Sequence, residues 1–462
     1  MFLSINRLSG TFLRALCLAF CMLAAVSQAS GQVVQPEVFV LLIEESPPTS
    51  EQQVARLVQI AFRQHPQLAE AASEIRREAG LRLQATRKPN PSAGYTASEV
   101  GNEGRSGQQG LFLSQQWITA GKLEMAGQAA QWRTRAAMER MKISRLQLSG
   151  LVQSQYWTLI ASRQRVDLLS RLERSLGEAV EMNQALLDAA EISQGTLIQA
   201  MLERNQMSVA VRQAQIDVQA KSQALATTLN TSMQWIDSVP SDPWPVTSSD
   251  FFLPLQDSVE QALPTDFGSY QLSLSFLTES GGDRWLESPE LSEASSLIEA
   301  AKWELRLAQV RVVSDIDSFA SLQHDAVTNN VVVGVQVGVF LPVNDRKGGL
   351  VEAARATVNQ LEARLSSIRR DLQIRWTNAL NDYRNALEMQ SAIDTDLLPL
   401  ARRRFDLARQ AYSQGEIDYL ELLTAQRTYL AIQQNALEMQ ERATLAAVRL
   451  THLVVVDRSS GF

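Results

Sequence analysis

Apolar residues recur at Val54, Leu57, Val58, Ala61 and Phe62, the i, i+3, i+4, i+7 spacing of a helix with one buried stripe. This pattern predicts a helix over about 51–87, kinked near its start by Pro66. No proline occurs between Pro91 and Pro240. Residues 120–190, rich in Ala, Gln, Leu, Met and Arg, are expected to form one helix roughly 100 Å long at 1.5 Å per residue. Further helices are expected over 194–229, from Pro289 to about 315, over 348–411 with a kink at Pro399, and from the turn near Asp418 to about 456.

Between the helices the period changes to two. In "NNVVVGVQVGVFLPV" the residues Val331, Val333, Val335, Val337, Val339 and Leu341 share one face, and Val332, Gly334, Gln336, Gly338 and Phe340 the other. This predicts a strand over 331–341 with a hairpin partner over 316–323. A weaker alternation predicts a first hairpin, 92–100 with 110–117, around the loop "GNEGRSG". About 11 residues suit a tilted membrane-crossing β-strand. A soluble sheet with one buried face is the other reading of the same alternation.

The plan occurs twice. "AAEISQGTLIQAMLERNQM" at Ala189 is echoed by "AYSQGEIDYLELLTAQRTYL" at Ala411, with Glu191-Ile192-Ser193 against Glu416-Ile417-Asp418. In each half two shorter helices together match the long one: about 37 and 36 residues against about 70, then about 26 and 39 against about 64. Each echo reverses a long helix, and Ser193 and Asp418 are expected to cap the returning helices. The fold class is therefore mainly α with a small β part, in two tandem repeats over 53–229 and 289–456. A Pro-rich connector, 230–288, joins them, with an N-terminal linker at 30–52 and a tail at 457–462. Four strands cannot close a barrel, so the membrane reading entails several copies.

Composition narrows the chemistry. Arg7 and Arg14 precede an apolar run ending at Val26, and Ser27-Gln28-Ala29 offers small residues for cleavage, so 1–29 reads as a secretory signal. Both cysteines, Cys17 and Cys21, fall inside it, and Phe20 stands where a lipoprotein signal wants a small residue. Without the signal the net charge moves from −7 to about −9, which disfavours nucleic acid as a partner. The three histidines, His65, His324 and His452, are not at metal-ligand spacing, and no phosphate loop, nucleophile elbow or zinc-protease motif occurs. No enzyme activity, cofactor or bound metal is expected.

The pattern resembles TolC-like outer-membrane efflux proteins. The segments that carry the likeness are "HPQLAEA" at His65, "LSQQWITAGKLEMAGQAA" at Leu113, the turn at Glu191, "SPELSEA" at Ser288, "VGVFLPVNDRKGGLVEAARA" at Val337 and "YSQGEIDYLELLTAQRTYL" at Tyr412. Within the family, "LPVNDRKGGLVEA" and "GEIDYLELLTAQ" are most similar to outer-membrane subunits of cobalt-zinc-cadmium efflux systems. The resemblance implies a homotrimer with a 12-stranded barrel in outer-membrane lipid, continued by a coiled-coil α-helical tunnel into the periplasm. It also implies a periplasmic adaptor and a proton-driven inner-membrane pump as partners, and export of small solutes, heavy-metal cations among them. By position it makes Glu191, Ile192, Ser193, Gly415, Glu416, Ile417 and Asp418 periplasmic tip turns, and Tyr412 and Glu421 a candidate gate. Ile417, Thr424 and Ala190 depart from the family pattern, where a basic residue, an acid and a glycine are usual. An ordinary exposed acid in a first helical turn remains the other reading of Glu421. A periplasmic coiled-coil adaptor or structural protein is the alternative function.

Overall fold

The computed structural model describes residues 50–99, 101, 107–237 and 284–454. The expected signal, nearly all of the N-terminal linker, most of the connector and the tail lie outside these residues. In chain order the elements are α1 (Ser50–Gln64), α2 (Pro66–Ala85), β1 (Ser92–Ser98), β2 (Gln108–Trp117), α3 (Lys122–Asp188), α4 (Gln194–Leu229) and the short α5 (Met233–Asp237). After a 3-10 turn at Arg284–Glu287 come α6 (Pro289–Val310), β3 (Ile316–Asp325), β4 (Asn330–Val339), α7 (Gly348–Ala392), a π turn at Ile393–Leu397, α8 (Leu398–Ser413) and α9 (Tyr419–Val454).

Three expectations are corrected. Pro66 divides the first helix rather than kinking it: His65 is extended (φ −74°, ψ 125°), as a residue before proline prefers, and its Nδ1 accepts from Gln67 N at 3.3 Å. The helix expected to reach about 315 stops at Val310, because Val313, Ser314 and Asp315 are engaged by the segment that follows β2. The kink at Pro399 is a π turn over the preceding residues: proline has no N–H to give the carbonyl four residues back, and the chain absorbs the mismatch as a wider turn.

α3 runs 67 residues without a break, about 100 Å at the standard rise. A helix this long is stable only if neighbours cover its apolar stripe along its length. α2 and α6 flank its upper half, and α4 and α9 its lower half. One core layer gathers Leu57 and Ala61 of α1, Val152 and Tyr156 of α3, Leu229 of α4 and Ile236 of α5. A second places Trp285 and Leu291 against Leu372, Trp376 and Tyr383 of α7 and Leu450 of α9. Smaller clusters lower down join Leu169 to Val211 and Ala214, and Ala200 to Tyr419 and Leu423.

The four strands make one antiparallel meander in the order β1-β2-β3-β4, so the two halves of the chain share a sheet through β2 and β3. Leu111 pairs with Tyr95 on one side and with Leu322 on the other, and Leu322 pairs with Val333. Gly110 lets β2 and β3 approach here, since a Cβ on it would lie 1.9 Å from the Leu322 carbonyl oxygen. β1 and β4 are the two edges.

Candidate functional site

The sheet is two-faced. One face carries Tyr95, Leu111, Leu113, Leu322 and the β4 valines at odd positions, and Val335 is 76% exposed. The other carries Ser114, Gln116, Asp317, Ser321 and Gln336, with the rings of Phe112 and Phe319 stacked at 5.3 Å. An apolar face this extensive and uncovered is an interaction surface. Among the described residues no helix is long and apolar enough to cross a membrane.

A polar hub fixes the sheet to the helices. Lys122, first residue of α3, donates to Asp315 Oδ1 at 2.7 Å and to the Val313 carbonyl, while Thr119 N donates to the same carboxylate oxygen at 3.0 Å. The Thr119 hydroxyl donates to the Ser314 carbonyl at 2.8 Å. Partial burial disfavours the charged form of Asp315, but these donors outweigh it and hold the carboxyl below its usual range.

At the far end of the rods the two echo turns have one geometry. Glu191 N donates to Leu186 O and Ala190 N to Leu187 O, each at 2.9 Å; Glu416 N donates to Ala411 O at 2.9 Å and Gly415 N to Tyr412 O at 3.0 Å. This is the reversal that satisfies the last carbonyls of a helix through a left-handed residue. That residue is Ala190 (φ 58°) in the first turn and Gly415 (φ 72°) in the second. Ser193 Oγ accepts from Thr196 N at 3.3 Å and Asp418 Oδ1 from Glu421 N at 2.8 Å, so both cap the returning helices. Glu191, Ile192 and Glu416 complete the turns; Ile417 is half-buried.

The two hairpins are tied together just above these turns. Tyr412 of α8 donates to Asn183 Oδ1 of α3 at 2.6 Å, and Arg427 of α9 pairs with the buried Glu203 of α4. Gln199 Nε2 also donates to Glu203 at 3.2 Å. Tyr419 packs 6.0 Å from the Tyr412 ring, and its hydroxyl and the Asn183 amide nitrogen have no hydrogen-bond partner among the described residues. Burial raises both phenol pKa values; for Tyr419, burial and the neighbouring Glu203 and Tyr412 push it to about 12. Both rings therefore stay protonated at neutral pH, and Tyr412 acts as a donor. Two polar atoms left unpartnered in one buried cluster cost free energy in this arrangement.

Glu421 lies apart from this cluster. It is exposed, in the first turn of α9, and shares a groove with Arg403, Arg404, Leu400, Leu407 and Ile417. The two candidate gate residues thus have different surroundings. Asn183, Glu203 and Arg427 were not singled out from the sequence, although one signal exists: Leu169, Leu176 and Asn183 recur every seven residues, so Asn183 is a buried amide in an apolar seam. Among the described residues no group of three His, Asp or Glu side chains could hold a metal ion.

Residues 285–454 match the family model of the outer membrane efflux protein. No curated protein matches the chain by sequence. Among solved structures, the outer membrane protein VceC of Vibrio cholerae is 17% identical, with a TM-score of 0.68 over 87% of this chain and 96% of that one. CusC, described with its folding and transmembrane channel formation, is 16% identical, with a TM-score of 0.67 over 87% and 92%. The open MtrE outer membrane channel of Neisseria gonorrhoeae is 15% identical, with a TM-score of 0.65 over 87% and 88%. At these identities the likeness is one of fold, and the chain has the fold of these outer-membrane channels.

Proposed function

We propose that the chain is the outer-membrane exit duct of a tripartite efflux system, carrying small solutes passively from periplasm to exterior. The sheet carries this reading. Its exposed valine and leucine face suits lipid, its Ser, Gln and Asp face suits water, and its two edges stay open because four strands cannot close. Three copies would supply twelve strands, and the long helices below would continue the wall as a tunnel. A homotrimer in the outer membrane of a Gram-negative-type bacterium, working with a periplasmic adaptor and an inner-membrane pump, follows from this reading and from the match over residues 285–454. Heavy-metal cations are the solute class we favour, on the resemblance of "LPVNDRKGGLVEA" and "GEIDYLELLTAQ" to metal-efflux subunits.

The duct reading needs no catalytic group in this chain, and its energy comes from the pump. The turns at Glu191–Ser193 and Gly415–Asp418 form the periplasmic tip, and Tyr412 holds it closed through Asn183. Glu421 would add three carboxylates around the entrance. Membrane fractionation with planar-bilayer recording tests the function: outer-membrane trimers that conduct ions are expected, and a chain that stays monomeric and soluble in the periplasm overturns it.

A further inference from the structure

The polar face of the sheet is not flat. At the end nearest the rods it holds a cavity of about 550 Å³, lined by Asp317, Phe319, Gln336, Gly338 and Phe340 among others. The strand register explains how it arises. Asp317 pairs with Gln116 on β2 and Gly338 on β4, and Phe319, two residues further along β3, pairs with Ser114 and Gln336. Paired residues, and residues two apart on one strand, share a face, so the carboxylate, the ring and both amides converge on the same side. At Gly338 this row lacks a side chain, and a Cβ there would meet nothing within 4 Å. The gap beside Asp317 is the floor of the cavity.

The walls have a definite chemistry. Asp315 has Lys122 at 2.7 Å, but the half-buried Asp317 carboxylate has no hydrogen bond or ion pair among the described residues. No Lys, Arg or His lines the cavity, while Gln116 and Gln336 offer amide oxygens that can accept N–H groups. Phe112 stacks on Phe319 at 5.3 Å but does not line the cavity, which leaves the rest of the Phe319 ring to border it. Phe340, 75% exposed, borders it from the end of β4.

A carboxylate without a counter-charge, set beside aromatic rings and amide oxygens, matches a cation that carries an apolar group. A metal ion would use little of this lining, since one carboxylate is a poor ligand set and the rings add nothing to it. An anion would be repelled, and a neutral solute would leave the carboxylate unpaired.

We infer that this cavity is a transit site for organic cations, amines or guanidinium compounds with an apolar group, bound by Asp317 and the Phe319 and Phe340 rings. Its part in transport rests on the exit-duct reading, which makes the polar face the lumen, and it adds organic cations to the solutes that the duct passes. The binding itself does not depend on that reading. The cavity is open to water, so its grip is weak. A weak site within a pore concentrates one class of solute and still releases it.

The test uses phenethylammonium as the probe, with phenethyl alcohol and magnesium ion as comparisons, on the full chain in detergent. Saturation-transfer NMR should show the ammonium bound and the alcohol not. Asp317→Asn should weaken binding about tenfold, as expected when a charged hydrogen-bond partner is neutralised. Gly338→Val should weaken it by a similar factor, because the gap is filled at a position that has room for the side chain. Asp325→Asn, at the other end of the same face, should leave binding unchanged. Equal losses from Asp317→Asn and Asp325→Asn would show a diffuse acidic field and overturn the inference. So would equal binding of ammonium and alcohol, no ammonium binding at all, or displacement of the probe by magnesium at equal concentration. In planar bilayers the probe should reduce the current of the parent more than that of Asp317→Asn. Probe binding to a chain that does not conduct would sink the exit-duct reading and leave the site standing, and a conducting channel that binds no probe would do the opposite.

Discussion

The phenol of Tyr412 donates to Asn183 Oδ1 at 2.6 Å, across 229 residues of chain, and joins the second hairpin to the first. Tyr412→Phe removes the donor and leaves the whole Asn183 amide, 0% exposed, without a partner. A buried polar group orphaned in this way costs about 1–3 kcal/mol. In planar bilayers the variant is expected to open more often than the parent at neutral pH, with unchanged conductance of the fully open level. Identical open probabilities would show that Tyr412 does not hold the tip closed.

The Glu203 and Arg427 pair is a second polar contact between the same two hairpins, with Glu203 buried and the arginine side chain 57% exposed to solvent. Solvent around the arginine limits the pair to about 1–2 kcal/mol, between a surface ion pair and a buried one. Either single neutralisation should weaken the tip, and the exchanged pair, Glu203→Arg with Arg427→Glu, should recover part of the loss. A double-mutant cycle on open probability measures this. A coupling energy near zero would show that the two side chains do not hold the seam.

Much of the architecture was legible in the sequence because it is periodic. The β4 alternation places Val331 to Val339 on one face, and the 225-residue echo marks both hairpin turns, down to the capping residues Ser193 and Asp418. The polar contacts between the hairpins were legible only in part. Tyr412 was found by resemblance, but its acceptor Asn183 and the ion pair Glu203 to Arg427 depend on how two hairpins pack, and residues 224 and 229 positions apart carry no local pattern linking them. The π turn escaped for a related reason: Pro399 announces a disturbance, but whether the helix bends or widens is decided by neighbours such as α9.

Ala190 and Gly415 occupy the same left-handed position in the two turns, and only Gly415 does so without a Cβ clash. Ala190→Gly should therefore stabilise the protein by about 1 kcal/mol, and Gly415→Ala should destabilise it by a similar amount. Neither change alters a charge or the Tyr412 and Glu203 contacts, so both effects should appear in thermal or denaturant unfolding of the protein. Equal effects of the same sign from the two substitutions would contradict the turn geometry.

The hub of Lys122, Thr119 and Asp315 should make the junction of sheet and rods acid-sensitive. The folded-state pKa of Asp315 lies below its ordinary value, so its contribution is complete above the unfolded value, about 3.9, and is lost as pH falls through the folded value. Lys122→Met is expected to cost about 1–2 kcal/mol at pH 7 and progressively less below pH 4. Melting curves of parent and variant at pH 7 and pH 3 compare the two; a difference that stays constant with pH would mean the lysine acts by packing.

His452 sets a second pH dependence, higher on the scale and of independent origin. It lies in the last turn of the last helix, where Nδ1 is 2.7 Å from the Val448 carbonyl and must carry the proton. Nε2 then accepts, from Ser149 Oγ at 3.1 Å or Gln153 Nε2 at 3.3 Å, both on α3 and both 2% exposed. The groups on the ring are a carbonyl, hydroxyls and an amide, so no negative charge rewards protonation, and burial pushes the imidazole down to about 4. For a histidine so lowered, the fold is favoured while the ring is neutral. The contribution is complete above the unfolded value, about 6.5, and disappears as pH falls toward 4, up to about 3 kcal/mol in all. The melting temperature of the parent should thus decline between pH 6.5 and 4.5, a window above that of Asp315. His452→Gln keeps hydrogen bonding without the titration and should flatten that decline while lowering stability at pH 7. Parallel pH profiles for parent and variant would show that the His452 ring does not control it.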